Sequence, residues 1–319
     1  MNLPEPSSVR RVAVLGGGLI GASWTAFFLS RGLTCTVYDP DSAAEPKVRS
    51  VIEAAWPILT ELGMATGADP AAWRLTTDPA DAVRGAQFVQ EQAPERLEIK
   101  RDLFARIDGP LGPDAVVATS TSGLLVSDMQ DGLEHAGRYV VGHPFNPPHL
   151  IPLVEVVGGR LTDPAAVDWS VAFYRHLGKV AVRLNKEVHG HIANRLQAAI
   201  WREAVHLVAE GVADVAAVDA AVAYGPGLRW ALMGPHLTYH LGGGQGGLEW
   251  FIEHLGPSAE GRWKDLGTLQ TIPDGAKPVL VEGVKAEAGG ASIDALARDR
   301  DRLLLGLLKL IGTGKGTLP

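Results

Sequence analysis

Val12-Ala13-Val14-Leu15-Gly16-Gly17-Gly18-Leu19-Ile20-Gly21 is the stretch that decides the fold. Four apolar residues read as a short buried strand, and the glycine turn that follows opens a helical stretch over Ile20–Arg31. The glycines at 16, 18 and 21 form G-x-G-x-x-G. In that pattern Gly16 permits the tight turn, Gly18 lets a pyrophosphate approach the backbone, and Gly21 lets helix pack on strand. Leu19 and Ile20 head the helix, whose free N–H groups and partial positive charge suit phosphate oxygens. A second strand is expected over Thr34–Tyr38, and Asp39 ends it, 18 residues beyond Gly21. A dinucleotide site asks for an acid at about that spacing. Its carboxylate would accept from both ribose hydroxyls and repel a 2′-phosphate, which favours NAD over NADP. A glycine turn that binds nothing is the competing reading, and the combination of strand, helix and acid disfavours it. FAD shares the fingerprint and stays open on these residues alone.

Working outward, further strands are expected over Ala86–Glu91, Ala115–Ala118, Tyr139–Gly142 and Leu153–Val157. Amphipathic stretches such as Glu95–Ile107 separate most of them. That alternation predicts βαβ units on a doubly wound, mostly parallel sheet, an α/β Rossmann domain. Beyond Asn185 the pattern turns to helices alone. They are expected over Arg195–Glu210, Val215–Ala223, Arg229–Leu241, Leu248–His254 and Ser292–Leu310. The predicted organisation is a dinucleotide-binding domain over 1–186 and an all-α domain over 187–319.

The 319 residues are enough for about two domains. With 46% hydrophobic and 20% charged residues the chain is neither disordered nor fibrous. A formal net charge of −7 gives no basic excess for a nucleic-acid partner. The lone Cys35 excludes an intrachain disulfide and reads as a small core residue in a strand. Arg10-Arg11 before an uncharged run invites a reading as an export signal or a membrane span. The glycines at 16–18 and 21 interrupt that run and no small-x-small cleavage site follows, so the expectation is a cytoplasmic protein without a membrane partner.

His143 lies in Gly142-His143-Pro144-Phe145-Asn146-Pro147, just past a strand, and Glu155 lies inside the apolar Leu153-Val154-Glu155-Val156. A carboxylate there is costly to bury unless paired, and a histidine is the obvious partner. Such a pair fixes the imidazole tautomer and favours its cationic form, which equips it for acid–base work. A purely structural pair at a sheet end reads equally well from these two residues.

Taken together, the fingerprint, Ser120-Thr121-Ser122, the His143–Pro147 segment, Leu153–Val156 and Asn194-Arg195 resemble the L-3-hydroxyacyl-CoA dehydrogenase superfamily over nearly the whole chain. The resemblance implies a histidine base at His143, a glutamate that holds it at Glu155, and Ser122 and Asn194 on the substrate oxygen. It places Glu95 and Lys100 near the nicotinamide and Asn146 at the substrate. It also implies a homodimer formed through the helical domain. The closer likeness is to the free-acid branch. Ser120–Leu125, His143–Pro147 and Gly225-Pro226-Gly227-Leu228-Arg229-Trp230 are similar to the L-carnitine 3-dehydrogenase family. Arg195-Leu196-Gln197 and Pro147-Pro148 are in the style of the lambda-crystallin (L-gulonate 3-dehydrogenase) family. Acyl-CoA enzymes of the superfamily usually carry a lysine-rich arm after the second strand. Here residues 39–78 hold only Lys47, Arg49 and Arg74 against many acids, few partners for CoA phosphates. The expected activity is NAD-dependent oxidation of a small L-3-hydroxy acid, carnitine first, with gulonate or a 3-hydroxybutyryl-CoA ester as alternatives. A crystallin-like structural protein or an NAD sensor is the non-enzymatic alternative, against which the His–Glu pair argues.

Where the family usually has Pro-Gly-Phe before the asparagine, this chain has His189-Gly190-His191. With His236 and His240 four apart, a metal site is conceivable. Without a cysteine ligand, loop and helix-face histidines are the preferred reading and no metal is expected. Arg229 suits a carboxylate by two parallel bonds. Trp230, Tyr239 and Trp250 suit a quaternary ammonium, although core aromatics or a dimer interface account for them as well.

Overall fold

The computed structural model describes residues 3–314, and the chain divides into two compact units between Arg195 and Leu196. The first unit is an eight-stranded sheet in the order β3-β2-β1-β4-β5-β6-β7-β8. The strands are β1 (Arg11–Leu15), β2 (Thr34–Tyr38), β3 (Trp73–Thr76), β4 (Phe88–Glu91), β5 (Val116–Thr119), β6 (Tyr139–Pro144), β7 (Leu153–Gly158) and β8 (Val180–Arg183). All neighbours pair parallel except β6 and β7. The order 3-2-1-4-5-6 is the Rossmann arrangement, with its switch point between β1 and β4. Neither edge strand is among those expected: Arg74 interrupts the apolar residues of β3, and β8 holds only the short run Val180-Ala181-Val182 before Arg183.

Alternating side chains build one core on each face. Val12, Val14, Phe88, Val116 and Val140 pack with α1 (Leu19–Ser30), α2 (Glu45–Leu62) and α6 (Pro164–His176). Ala13, Leu15, Val89, Val117 and Val141 face the other way, toward α3 (Pro79–Val83), α4 (Leu97–Asp108) and α5 (Val126–Met129). From Gly21 onward α1 is buried on every side, with Trp24 and Phe28 stacked at 5.1 Å. A helix without a charged residue, whose Thr25 and Ser30 hydroxyls bond back to its own carbonyls, belongs in such a place, sandwiched between layers.

α7 (Ala193–Ala209) leads into the second unit, which holds α8 (Val215–Tyr224), α9 (Pro226–Trp230), α10 (Pro235–Gly242), α11 (Gly247–Asp265), α12 (Ala276–Glu287) and α13 (Ile293–Gly314). Val208, Val215 and Val218 form its small buried cluster. The single helix expected over Arg229–Leu241 is two. α9 stops at Trp230, and Pro235, which has no N–H to give to a preceding turn, starts α10 behind Gly234. α11 runs well past His254, and α12 lies where no helix is expected from sequence.

Candidate active site

The glycine turn has the geometry its spacing demands. Gly16 adopts φ 114°, a left-handed conformation costly for any side chain, and a Cβ there would meet Gln92 O at 2.8 Å. A Cβ on Gly21 would lie 1.8 Å from Gly16 O, so only glycine lets α1 approach the turn. A Cβ on Gly18, the N-cap of α1, would meet open space, while Leu19 and Ile20 stand exposed in the first helical turn. Asp39 Oδ2 accepts from Gly17 N–H at 2.8 Å and its Oδ1 from Asp41 N–H at 3.0 Å. Each oxygen keeps a lone pair for a ribose hydroxyl. A cleft of about 390 Å³ opens there between Gly16, Gly18 and Asp39 on one side and Pro94, Leu103 and Arg106 on the other. Free helix-terminal N–H groups, a ribose-binding acid and an apolar slot fit a dinucleotide.

The reacting edge lies where β6 meets β7. Antiparallel register sets His143 directly opposite Glu155, so the two side chains leave the same face of the sheet as immediate neighbours. His143 Nδ1 lies 2.9 Å from Glu155 Oε2. Oε1 accepts from the backbone N–H groups of Ile192 and Ala193 at 2.8 and 3.0 Å, at the start of α7. Burial works to raise the Glu155 pKa. The bonds from His143, Ala193 and Ile192 outweigh it and hold the carboxyl below its ordinary range, so Glu155 is ionised at neutral pH. That anion fixes a proton on Nδ1 and turns Nε2 outward as the reactive nitrogen, with the Asn194 amide nitrogen 3.5 Å from it. His143 is 5% exposed, which keeps bulk water away from this pair.

A second carboxylate organises the Ser122 loop. Glu95 Oε1 accepts from Thr121 Oγ1 at 2.6 Å, Ser122 N–H at 2.9 Å, Gly123 N–H at 3.0 Å and Ser122 Oγ at 3.3 Å. Burial again pushes its pKa up, but the Thr121 bond, the Lys100 charge and the two backbone N–H groups bring it below the ordinary value. Lys100 is turned inward, 1% exposed. Its ammonium reaches Glu91 Oε1 and Oε2 at 2.8 and 2.9 Å, Ala93 O at 3.1 Å and Glu95 Oε2 at 3.7 Å. It therefore acts on this edge through Glu91 and Glu95, with its three protons already engaged. Gln90 joins the strands beneath, donating to Ser120 Oγ at 2.9 Å and Gly142 O at 3.3 Å while Tyr174 donates to it at 2.5 Å.

Sequence reading missed Glu91, Thr121 and Gln90. The available signal was Gln90-Glu91-Gln92, three polar residues closing an otherwise apolar strand, where buried carboxylates and amides need partners. His189 and His191 are engaged elsewhere in the fold. They bond to carbonyls of the Ser122 loop, and His240 Nδ1 accepts from Leu248 N–H at 3.1 Å. No group of three His, Cys, Asp or Glu among the described residues is arranged to hold a metal ion. Cys35 is fully buried in β2, and burial raises its thiol pKa above the ordinary range. Asn146 stands exposed after His143 and is joined to Pro147 by a cis peptide. In the helical unit, Arg229 and Trp230 close α9. Tyr239 packs on Phe251 at 4.7 Å and Trp250 stacks on His254 at 4.4 Å.

Comparison with known proteins fits this geometry. Residues 11–188 match the family description "3-hydroxyacyl-CoA dehydrogenase, NAD binding domain", and residues 190–268 match its C-terminal domain. The chain belongs to the 3-hydroxyacyl-CoA dehydrogenase family. It is an NAD-dependent oxidoreductase of that family, and the FAD alternative falls away. Among relatives in the family, an L-carnitine dehydrogenase of Streptomyces griseus is 49% identical over 96% of this chain and 91% of its own length. An L-carnitine dehydrogenase of a Pseudomonas species is 43% identical over 98% and 97%. Among solved structures, an NAD-dependent dismutase described as 5-formyl-3-hydroxy-2-methylpyridine 4-carboxylic acid 5-dehydrogenase superposes with TM-score 0.82 at 30% identity. It is covered over 99% of its length by 96% of this chain. No described helix is long and apolar enough to cross a membrane.

Proposed function

We propose that this chain oxidises L-carnitine to 3-dehydrocarnitine, with NAD as hydride acceptor and His143 as the base. The observation that carries the reading is the buried His143–Glu155 pair with Asn194 beside its free nitrogen. The bound dinucleotide supplies the acceptor for the hydride leaving C3. His143 Nε2 takes the hydroxyl proton as the carbonyl forms, and Glu155 balances the imidazolium that results. Ser122 and Asn194 hydrogen-bond the reacting oxygen as its charge develops. Gly16, Gly18, Leu19, Ile20, Gly21 and Asp39 hold the dinucleotide, and Glu95 fixes the Ser122 loop against it.

Carnitine is preferred on two grounds. The first is the set of L-carnitine dehydrogenases at 41–49% identity. The second is the stretch after β2, where residues 39–78 hold only Lys47, Arg49 and Arg74, and the two arginines already face Glu45 and Asp81, a poor setting for CoA phosphates. Arg229 suits the carboxylate by two parallel bonds and Trp230 the trimethylammonium group. The helical unit carries the dimer contact: Trp201 (58% exposed) and Leu303 (62%) are large apolar groups that a second copy would cover. The lone, buried Cys35 agrees with a cytoplasmic protein. A substrate panel tests the assignment. L-carnitine should give the highest kcat/KM for NAD reduction against L-gulonate, L-3-hydroxybutyrate and 3-hydroxybutyryl-CoA. A preference for the CoA ester would overturn it.

A further inference from the structure

The His189-Gly190-His191 turn is unused by the scheme above, yet it grips the same loop as Glu95 from the opposite chemistry. Glu95 takes that loop's donors, whereas the turn supplies donors to its carbonyls. His189 Nδ1 lies 2.8 Å from Gly123 O, and His191 Nε2 lies 3.0 Å from Thr121 O. His191 is 2% exposed, and its ring centre lies 4.9 Å from that of His143 with the planes 40° apart. Its backbone φ is 49°, in the left-handed region that a side chain with a Cβ adopts only where the surroundings over-determine it. With Nε2 donating to Thr121, Nδ1 carries the lone pair, and Nδ1 is buried with no hydrogen-bond partner. A second proton on this ring would sit on a buried nitrogen without an acceptor, in ring contact with His143.

We infer that His191 is a positioning residue that fastens His143 to the Ser122 loop, and that it does so only as a neutral imidazole, so that its protonation disables the site. The inference rests on the reading of His143 as the acid–base group. The charged groups around His191 are His143 on β6, Glu155 on β7 and Glu95 ahead of α4. Burial lowers its pKa most. The Thr121 carbonyl raises it, His143 lowers it and the two carboxylates raise it, leaving it below the ordinary imidazole value. The turn thus holds a neutral ring against one that must become cationic.

The reductive direction isolates His191. Reduction of 3-dehydrocarnitine by NADH needs His143 protonated, so His143 itself causes no loss of rate as pH falls. The wild-type kcat should nevertheless fall as pH drops below the ordinary imidazole value. His191→Gln keeps a donor for Thr121 but does not titrate. It should stay within about threefold of wild type on the plateau and lose the acid fall. His191→Phe keeps a ring but no donor. It should be about five- to tenfold slower on the plateau, also without the fall, and NADH affinity should hold in both. A variant acid limb parallel to that of the wild type, or a wild type that keeps its full rate while His191 becomes protonated, overturns the inference. Nitrogen NMR of labelled histidine on the intact protein gives a readout apart from activity. His191 should be the neutral Nε2–H tautomer at neutral pH, and a cationic His191 there would refute the proposal. An enzyme inert toward 3-keto acids but with a neutral, Thr121-bonded His191 would instead fault the substrate reading.

Discussion

Replacing Glu155 by glutamine removes one charge from the site and leaves its shape. The carboxylate serves three donors, His143 Nδ1 at 2.9 Å and the N–H groups of Ile192 and Ala193 at 2.8 and 3.0 Å. With charge centres about 4 Å apart and an effective dielectric near 20, its attraction for an imidazolium is about 4 kcal/mol. The amide dipole recovers part of that. We therefore expect a transition-state loss of about 2–4 kcal/mol, which is about 30- to 1,000-fold in kcat. The amide also has one acceptor oxygen where two stood, so one buried donor loses its partner, at about 1–3 kcal/mol of stability. Steady-state NADH formation gives the first quantity and a urea titration the second, with NADH affinity by fluorescence as the control for the dinucleotide half. A variant with kcat within threefold of wild type but the full stability loss would refute the reasoning. Glu155 would then be a structural partner of the α7 N-terminus and nothing more.

Asp39→Ser combined with Pro40→Arg removes the acceptor for the ribose hydroxyls and adds a phosphate partner, so the ratio of kcat/KM for NAD over NADP should invert. Lys100→Met removes the buried counter-charge of Glu91 and leaves it only the Thr119 hydroxyl and the Ala93 N–H as donors, and a urea titration should record a loss of about 3–5 kcal/mol. Glu95 and Glu155 are held below their ordinary value of 4.5. The stability they contribute is complete above that pH and is lost as pH falls through their lower folded values. Glu95→Gln should therefore flatten the acid limb of a stability–pH profile. Trp230→Leu should raise KM for L-carnitine more than for L-3-hydroxybutyrate, because only carnitine presents a quaternary ammonium to an aromatic face.

The Rossmann core was legible because its signals are local. A strand, a glycine turn, a buried helix and Asp39 follow one another within thirty residues, and each constrains the backbone by itself. Glu155 was legible for the opposite reason, as a carboxylate in an apolar strand that announces a partner somewhere. What sequence reading could not supply is register. Antiparallel pairing of β6 with β7 sets Glu155 against His143, and a slip of one residue would have sent the two side chains to opposite faces. The placement of Lys100 depends on how α4 packs against β4, which no spacing encodes. The edge strands give weak signals, since Arg74 breaks the apolar pattern of β3 and β8 offers only Val180-Ala181-Val182. The break between α9 and α10 was marked by Gly234-Pro235, but the helical spacing on either side masked it. Sequence alone places His191 among loop histidines, since its ring contact with His143 is a tertiary one.

The central claim is that His143 takes the hydroxyl proton. His143→Gln keeps a polar group of similar size at the end of β6, and its turnover of L-carnitine with NAD is the direct test. In that variant kcat should fall by about 10²–10⁴ while NADH affinity stays near that of the wild type. A His143→Gln enzyme that oxidises L-carnitine at close to the wild-type rate would contradict it.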